Sequence, residues 1–158
     1  MIFLALLAAA PASGQGPQLW QSFFSVSMDR IGTYPLCESP DTPPEKICAN
    51  KLDGMITFDL RTPPKYLTRN IWVDLGADGK PMHASARTSG VAGQEDVLKA
   101  LKLRYGQPKV IKVEQVHNAF NASFPSIHAR WVLPNKARVD FVGVTDNIEE
   151  GEVNWWAP

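Results

Sequence analysis

The chain has 158 residues, a length typical of a single globular domain. Its composition is 44% hydrophobic and 20% charged, which excludes a disordered, low-complexity or collagen-like chain. Sixteen basic and sixteen acidic side chains give a net charge of zero, so the overall charge favours neither nucleic acid nor an anionic membrane as a partner.

The first fourteen residues predict a secretory signal peptide. An apolar run from Ile2 to Ala10 is followed by Pro11 and by the small residues Ala12-Ser13-Gly14, a pattern that signal peptidases accept. The run is too short for a membrane-spanning helix, which needs about 20 apolar residues. No Lys or Arg precedes the apolar run. The alternatives to a cleaved signal peptide are an uncleaved membrane anchor and a segment of the protein core. We expect cleavage after residues 1–14, a periplasmic or secreted protein, and no stable membrane span thereafter.

Residues 15–52 are rich in Pro, Gly, Ser and Gln and are expected to wrap around the domain. This segment contains the two cysteines of the chain, Cys37 and Cys48. In an exported protein an isolated pair at this spacing predicts a disulfide. A structural zinc site would need more ligands, and the spacing is far from that of a CxxC redox motif.

Residues 53–158 predict an α+β domain that forms one globular unit with residues 15–52. Alternating apolar and polar side chains predict seven strands, over residues 54–60, 70–75, 80–88, 109–116, 127–133, 137–144 and 152–156. The Gly76–Gly79 segment predicts a hairpin turn. We therefore expect an antiparallel sheet of about six to seven strands with one helix packed on one face and a disulfide-stapled N-terminal loop.

A single helix is predicted over residues 94–105. Val97, Leu98, Leu101 and Tyr105 form an apolar stripe at helical spacing. Acidic residues are expected in its first turn and basic residues in its last turn, where they complement the helix dipole. Gly106 fits the position after the last turn, and Pro108 prevents continuation.

The candidate catalytic groups are side chains far apart in the chain, and the sequence does not show whether they lie close together in the fold. The chain has no nucleophile elbow, HExxH, Walker or dinucleotide-binding motif. Its three histidines and three of its aspartates are the groups that a hydrolase would have available: His83, His117, His128, Asp74, Asp78 and Asp140. The aspartates would approach one another if strands 70–75 and 137–144 paired, although Asp140 beside Arg138 or Arg130 is more typical of ordinary cross-strand pairing.

Basic side chains are concentrated in the middle of the sequence. Residues 61–112 carry ten basic and four acidic side chains, whereas residues 15–60 and 113–158 each carry three basic and six acidic ones. Folding could bring these segments together as complementary faces, or the basic segment could bind an acidic protein. In the second case the candidate partner-binding residues are Lys99, Lys102, Arg104, Lys109, Lys112 and Trp156. Trp156 is included because one residue of the Trp155-Trp156 pair must point out of a strand.

The sequence thus favours a small exported domain without catalytic activity that binds an envelope or extracellular protein with an acidic surface. The alternatives are a small periplasmic hydrolase with a His/Asp constellation and a carrier of a metal or small ligand. No cofactor, metal site or nucleic-acid partner is predicted. Asn121 is a formal glycosylation acceptor if the source is eukaryotic.

Overall fold

The computed structural model describes residues 22–158. The predicted signal peptide (residues 1–14) and residues 15–21 of the predicted wrapping segment lie outside the described residues. A short hairpin is formed by β1 (Ser22–Phe23) and β2 (Val26–Ser27), and a 3-10 helix follows at Met28–Thr33. The remaining elements are β3 (Cys48–Leu52), β4 (Met55–Asp59), β5 (Leu67–Leu75), β6 (Pro81–Thr88), α1 (Gly90–Tyr105), β7 (Val110–His117), β8 (Ser123–Val132), β9 (Arg138–Val142) and β10 (Gly151–Trp156).

Eight strands form one antiparallel sheet in the order β3-β4-β5-β6-β10-β9-β8-β7. Strands β3–β6 are a meander in chain order, and strands β7–β10 are a second meander. The two meanders meet where β6 pairs with β10, and α1 connects them. The prediction of one antiparallel sheet with one helix is confirmed within the described residues.

The sheet has eight strands rather than the expected six to seven, and the domain is mostly sheet. The additional strand is β3, which the sequence pattern had placed in the wrapping segment. Leu52 pairs with Met55, so Asp53-Gly54 forms a two-residue hairpin turn. Gly54 has φ +69, a conformation that glycine adopts without the steric penalty of a Cβ atom.

Helix α1 begins at Gly90, four residues before the predicted start. As a result the first turn carries no acidic residue, contrary to the expectation, while Lys102 and Arg104 do lie in the last turn. Gly90 has φ +52, and a Cβ atom there would lie 2.3 Å from the carbonyl oxygen of Ile148. This glycine therefore permits close packing of the first turn of α1 against the loop that contains Ile148.

The core lies between one face of the sheet and a layer made of α1 and the N-terminal segment. Val97, Leu98 and Leu101 of α1 are buried as predicted. The N-terminal segment covers part of the same face, where the Tyr34 and Phe58 rings pack edge to face at 5.0 Å. The central strands contribute eight buried side chains to this core: Ile71, Val73, Ala84, Ala86, Val139, Phe141, Val153 and Trp155.

The predicted disulfide between Cys37 and Cys48 is present. It fixes the segment before it along the outer edge of β3, where Leu36 bridges to Ala49. The Cys37 amide donates to the Ala49 carbonyl at 3.1 Å, and the Ala49 amide donates to the Pro35 carbonyl at 2.8 Å. This edge of the sheet is therefore partly covered by the stapled loop.

Among residues 22–158, no helix has both the length and the apolar character that crossing a bilayer requires.

Candidate functional site

The candidate site lies on the face of the sheet opposite α1, which we call the open face. The strand registers place two rows of polar and aromatic side chains across its centre. One row contains Asp74, His83, Trp156, Arg138 and Val132. The adjacent row contains Trp72, Ser85, Asn154, Asp140 and Arg130. These side chains are half-buried or exposed, so no described element covers them.

His83 is at the centre of the open face and has a partner at each ring nitrogen. Its Nδ1 atom lies 2.9 Å from Oδ2 of Asp74, and its Nε2 atom lies 2.8 Å from Oδ1 of Asn154. The imidazole also packs on the indole of Trp156, with ring centroids 4.2 Å apart and planes inclined by 31°. These contacts hold the ring in one orientation across the junction of β5, β6 and β10.

Two tryptophan–arginine pairs are found on the open face, one on each side of the junction between β6 and β10. The guanidinium carbon of Arg138 lies 5.2 Å from the ring centroid of Trp156, and that of Arg87 lies 5.7 Å from the ring centroid of Trp72. Both distances are within the range of cation–π attraction. Trp156 nevertheless remains 38% exposed, so its ring can contact a second molecule.

Asp140 is held between Arg130 of the neighbouring strand β8 and Arg138, which lies two residues before it on β9. Arg130 donates from Nε to Oδ1 of Asp140 at 2.6 Å, and Nε of Arg138 forms an ion pair with Oδ2 at 2.7 Å. The predicted cross-strand pairing of Asp140 is confirmed for Arg130, whereas the pair with Arg138 lies along β9. Since each contact uses Nε, the terminal nitrogens of both guanidinium groups remain as donors for a ligand.

A shallow depression of about 440 Å³ continues the open face toward β7. It is lined by Val110, Lys112, His128, Ala129, Arg130, Asp140, Phe141 and Val142. Within it, Nε2 of His128 lies 3.4 Å from Oε2 of Glu114, which also forms an ion pair with Lys112. The hydrogen bond from Lys112 holds the pKa of Glu114 below its ordinary value. The depression is thus a mixed-charge surface at the edge of the sheet.

The structure separates the six residues that the sequence proposed as one binding cluster. Lys112 and Trp156 lie on the open face. Lys99, Lys102 and Arg104 lie on α1, which packs on the opposite face, and Lys109 lies just before β7. The helix lysines and the open-face residues therefore belong to two different surfaces.

The predicted acid–base groups are brought together only in part. Asp74 and His83 do pair, but β5 and β9 are separated by β6 and β10, so Asp74 and Asp140 are not neighbours. Asp78 pairs with Lys80 in its turn, and the pKa of Asp78 is lowered by its hydrogen bonds to that residue.

Ser126 is the hydroxyl nearest to a histidine in this region, at 3.2 Å from Nε2 of His128. The hydroxyl is fully buried and donates to the Val144 carbonyl at 3.1 Å, while the Val144 amide donates back to it at 3.0 Å. Ser126 therefore joins β8 to the segment that follows β9 and is not placed to attack a substrate.

The disulfide lies beside a carboxylate between two guanidinium groups. Arg69 donates from Nε to Oδ1 of Asp59 at 2.6 Å, and NH1 of Arg61 lies 3.4 Å from Oδ2. The hydrogen bond from Arg69 is the main reason that the pKa of Asp59 is lowered. The two sulfur atoms and the Asp59 carboxylate lie within 4.8 Å of one another. Both sulfurs are joined in the disulfide, so they offer no thiolate to a metal.

Several residues of the open face were not selected from the sequence: Trp72, Arg87, Arg130, Arg138 and Asn154. Their shared signal is an outward position in a strand with alternating pattern, and it was available for all five. An outward position shows on which face of the sheet a side chain lies. It does not show which side chains lie beside it, because that depends on the order of the strands in the sheet.

Comparison of the chain with protein-family models, with curated proteins and with solved structures gives no match.

Proposed function

We propose that this protein is an exported domain without catalytic activity that binds another protein through its open face. The partner surface is acidic and the compartment is the periplasm or the extracellular space. The disulfide is compatible with such a compartment, because disulfides persist where the surroundings are oxidising.

The observation that carries the proposal is the arrangement of Trp156, Arg138 and Arg130 around Asp140. Tryptophan and arginine dominate the energetics of protein interfaces, because they offer large contact area and several directed donors. Here the Trp156 ring is oriented by His83 on one side and Arg138 on the other. A preoriented aromatic loses little conformational freedom on binding, and this favours affinity.

The choice of an acidic partner follows from the donors that remain on the two arginines. Asp140 neutralises part of their charge through the Nε atoms, and the terminal nitrogens of Arg130 and Arg138 are the donors that would bind carboxylates of a partner. Arg130 has a side-chain exposure of 53%, so a partner reaches it without displacing an element of the fold.

The test is co-purification of a stoichiometric partner after crosslinking in the native exported fraction, compared between variants. Arg130→Glu and Trp156→Ala are expected to weaken capture by at least about tenfold, since both remove central contacts. Lys99→Glu is the matched control, because it makes the same charge change on the opposite face. Loss of the partner with Lys99→Glu but not with the open-face variants would assign binding to α1 instead.

A second candidate function, a hydrolase, is favoured by the Asp74–His83 pair. An aspartate that accepts from one ring nitrogen orients a histidine base in many hydrolases. In this structure, however, the other ring nitrogen faces Asn154. Hydrolysis of ester or amide probes that is abolished by His83→Gln and by Asp74→Asn, with the fold intact, would favour the enzyme.

A further inference from the structure

Strand β7 forms an exposed edge of the sheet. It is the last strand on its side, and none of the described residues pairs with its outer edge. The strand has eight residues and no proline, and the side chains of Val110, Ile111 and Val113 are 49%, 50% and 60% exposed. Such an edge is a template for a further strand, because its outward backbone groups lack partners.

The pairing with β8 determines which backbone groups of β7 point outward. The Asn118 amide donates to the Ala122 carbonyl at 3.1 Å, so this pair at the end of the hairpin is hydrogen-bonded. In an antiparallel ladder hydrogen-bonded pairs alternate with pairs that are not. Every second residue before Asn118 therefore forms backbone hydrogen bonds with β8, and these residues include Glu114 and Lys112. The residues between them, Ile111, Val113 and Gln115, direct their amides and carbonyls away from β8.

The sequence of β7 is complementary to itself in one antiparallel register. If a two-fold axis perpendicular to the sheet passes beside Val113, each Val113 pairs with Val113 of the second copy. Lys112 of each copy is then opposite Glu114 of the other, and Val110 is opposite Val116. Moving the axis to position 112 would oppose two lysines, and moving it to position 114 would oppose two glutamates. Cross-strand pairs of opposite charge stabilise a sheet and like charges destabilise it, so charge selects the register centred on Val113.

We propose that two copies of this domain associate through their β7 edges in this register. The Val113 pair and the two Ile111–Gln115 pairs then supply backbone hydrogen bonds in both directions, and two Lys112–Glu114 pairs form on the open face. The two eight-stranded sheets become continuous, and so do their open faces. An interface made of one short strand from each copy is small, which places the dimer among weak, transient associations that bury less than about 1,200 Å².

The experiment is sedimentation equilibrium of the mature, oxidised protein from micromolar to near-millimolar concentration. The unmodified protein is expected to associate reversibly into a dimer. Lys112→Glu and Glu114→Lys each convert two attractive pairs into two repulsive pairs, so each is expected to raise the dissociation constant by at least about tenfold.

Charge exchange makes the test specific to this register. The double variant Lys112→Glu/Glu114→Lys restores both attractive pairs and is expected to dimerise like the unmodified protein. An equimolar mixture of the two single variants is expected to form heterodimers, because every 112–114 pair between the two chains is then attractive. Lys99→Glu, on the helix, is expected to leave the dimer unchanged.

A backbone variant tests the edge itself. Val113→Pro removes an outward amide that β8 does not use, so the fold should persist while the dimer is lost. Val113→Thr keeps the amide and the preference for strand, and it is the matched control. If Val113→Pro does not fold, as judged by circular dichroism, the charge-exchange series decides alone.

Three results would overturn the proposal. The first is a protein that stays monomeric over the whole concentration range. The second is a dimer that neither single charge variant weakens. The third is a double variant that remains monomeric although each single variant loses the dimer. All three are independent of whether a partner binds the open face, since that binding is measured with Arg130→Glu and Trp156→Ala.

Discussion

Tyr105 is a residue whose ionisation depends strongly on the fold. It lies at the end of α1 with its ring centroid 6.4 Å from that of Trp131. Burial raises the pKa of Tyr105 to about 12, because the phenolate would lose its hydration, and the charge of Arg104 opposes this rise only in part. The hydroxyl therefore stays protonated in the folded domain at a pH where an exposed tyrosine ionises.

The raised pKa of Tyr105 predicts a loss of stability in alkali. The unfolded chain releases the proton near pH 10, whereas the folded domain retains it to about pH 12, so alkali favours the unfolded state in that interval. The stabilising contribution of the buried, protonated Tyr105 is fully present below about pH 10. About 2 kcal/mol of the free energy of unfolding is lost as the pH rises to about 12. Urea unfolding across this range should show a steeper decline for the unmodified protein than for Tyr105→Phe. Equal slopes would contradict the assignment.

At the same scale, some site residues could be predicted from the sequence and others could not. Alternation predicts that one residue of the Trp155-Trp156 pair points outward, and the structure shows that Trp156 does so at 38% exposure while Trp155 is buried at 4%. The same reasoning did not group Lys112 with Arg130, because nearness along the chain suggested Lys99 and Lys102 as its neighbours. Proximity in sequence is a poor guide here, since α1 and β7 lie on different layers of the domain.

At the scale of elements, one buried side chain connects α1 to the sheet. Gln94 donates from Nε2 to the Pro125 carbonyl at 2.8 Å, and its Oε1 accepts from the Ile127 amide at 2.9 Å. Gly143 leaves the necessary space, because a Cβ atom there would lie 2.2 Å from Oε1 of Gln94. The helix is thereby fixed to β8 by hydrogen bonds in addition to apolar packing.

Removal of the two Gln94 hydrogen bonds is expected to lower the free energy of unfolding. Gln94→Met keeps most of the side-chain volume but leaves the Ile127 amide and the Pro125 carbonyl without partners. The Ile127 amide is buried whereas Pro125 is exposed, and an unsatisfied buried group costs about 1–3 kcal/mol, so the free energy of unfolding should fall by about 2 kcal/mol. Chemical denaturation measures this free energy of unfolding. The control is Gln107→Met at an exposed position, where we expect a change within about 0.5 kcal/mol. A Gln94→Met protein as stable as the control would show that the hydrogen bonds contribute nothing.

Element boundaries followed the sequence where the turn residues were recognised and deviated where glycine was ambiguous. Asp78-Gly79 was identified as a hairpin turn, and β5 and β6 do pair around it. Asp53-Gly54 carries the same dipeptide signal, but the polar segment before it concealed β3. Gly90 is the first residue of α1 but lies outside the predicted helix, because a sequence does not distinguish a glycine that breaks a helix from one that permits close packing.

At the scale of the whole molecule, the disulfide is expected to contribute substantially to stability. The cysteines are 11 positions apart, and closing a loop of this size restricts the unfolded chain by about 3 kcal/mol. Cys37→Ala/Cys48→Ala should therefore lower the free energy of unfolding by about that amount in denaturant titrations. Reduction of the unmodified protein is the control and should give a similar loss. A double variant with unchanged stability would show that the loop is ordered without the disulfide.

The junction of β6 and β10 has a consequence for how the domain folds. All other neighbouring strands of the eight-stranded sheet are consecutive in the chain, whereas His83 and Asn154, which touch across this junction, are 71 positions apart. Pairings between distant segments form late, because the entropy of closing a long loop must be overcome first. Asp74 and His83 come from one meander, and Asn154, Trp156 and Arg138 come from the other. The two halves of the open face are thus expected to come together late in folding, and a nascent chain that still lacks β10 exposes an unpaired β6 edge to proteases and to other chains.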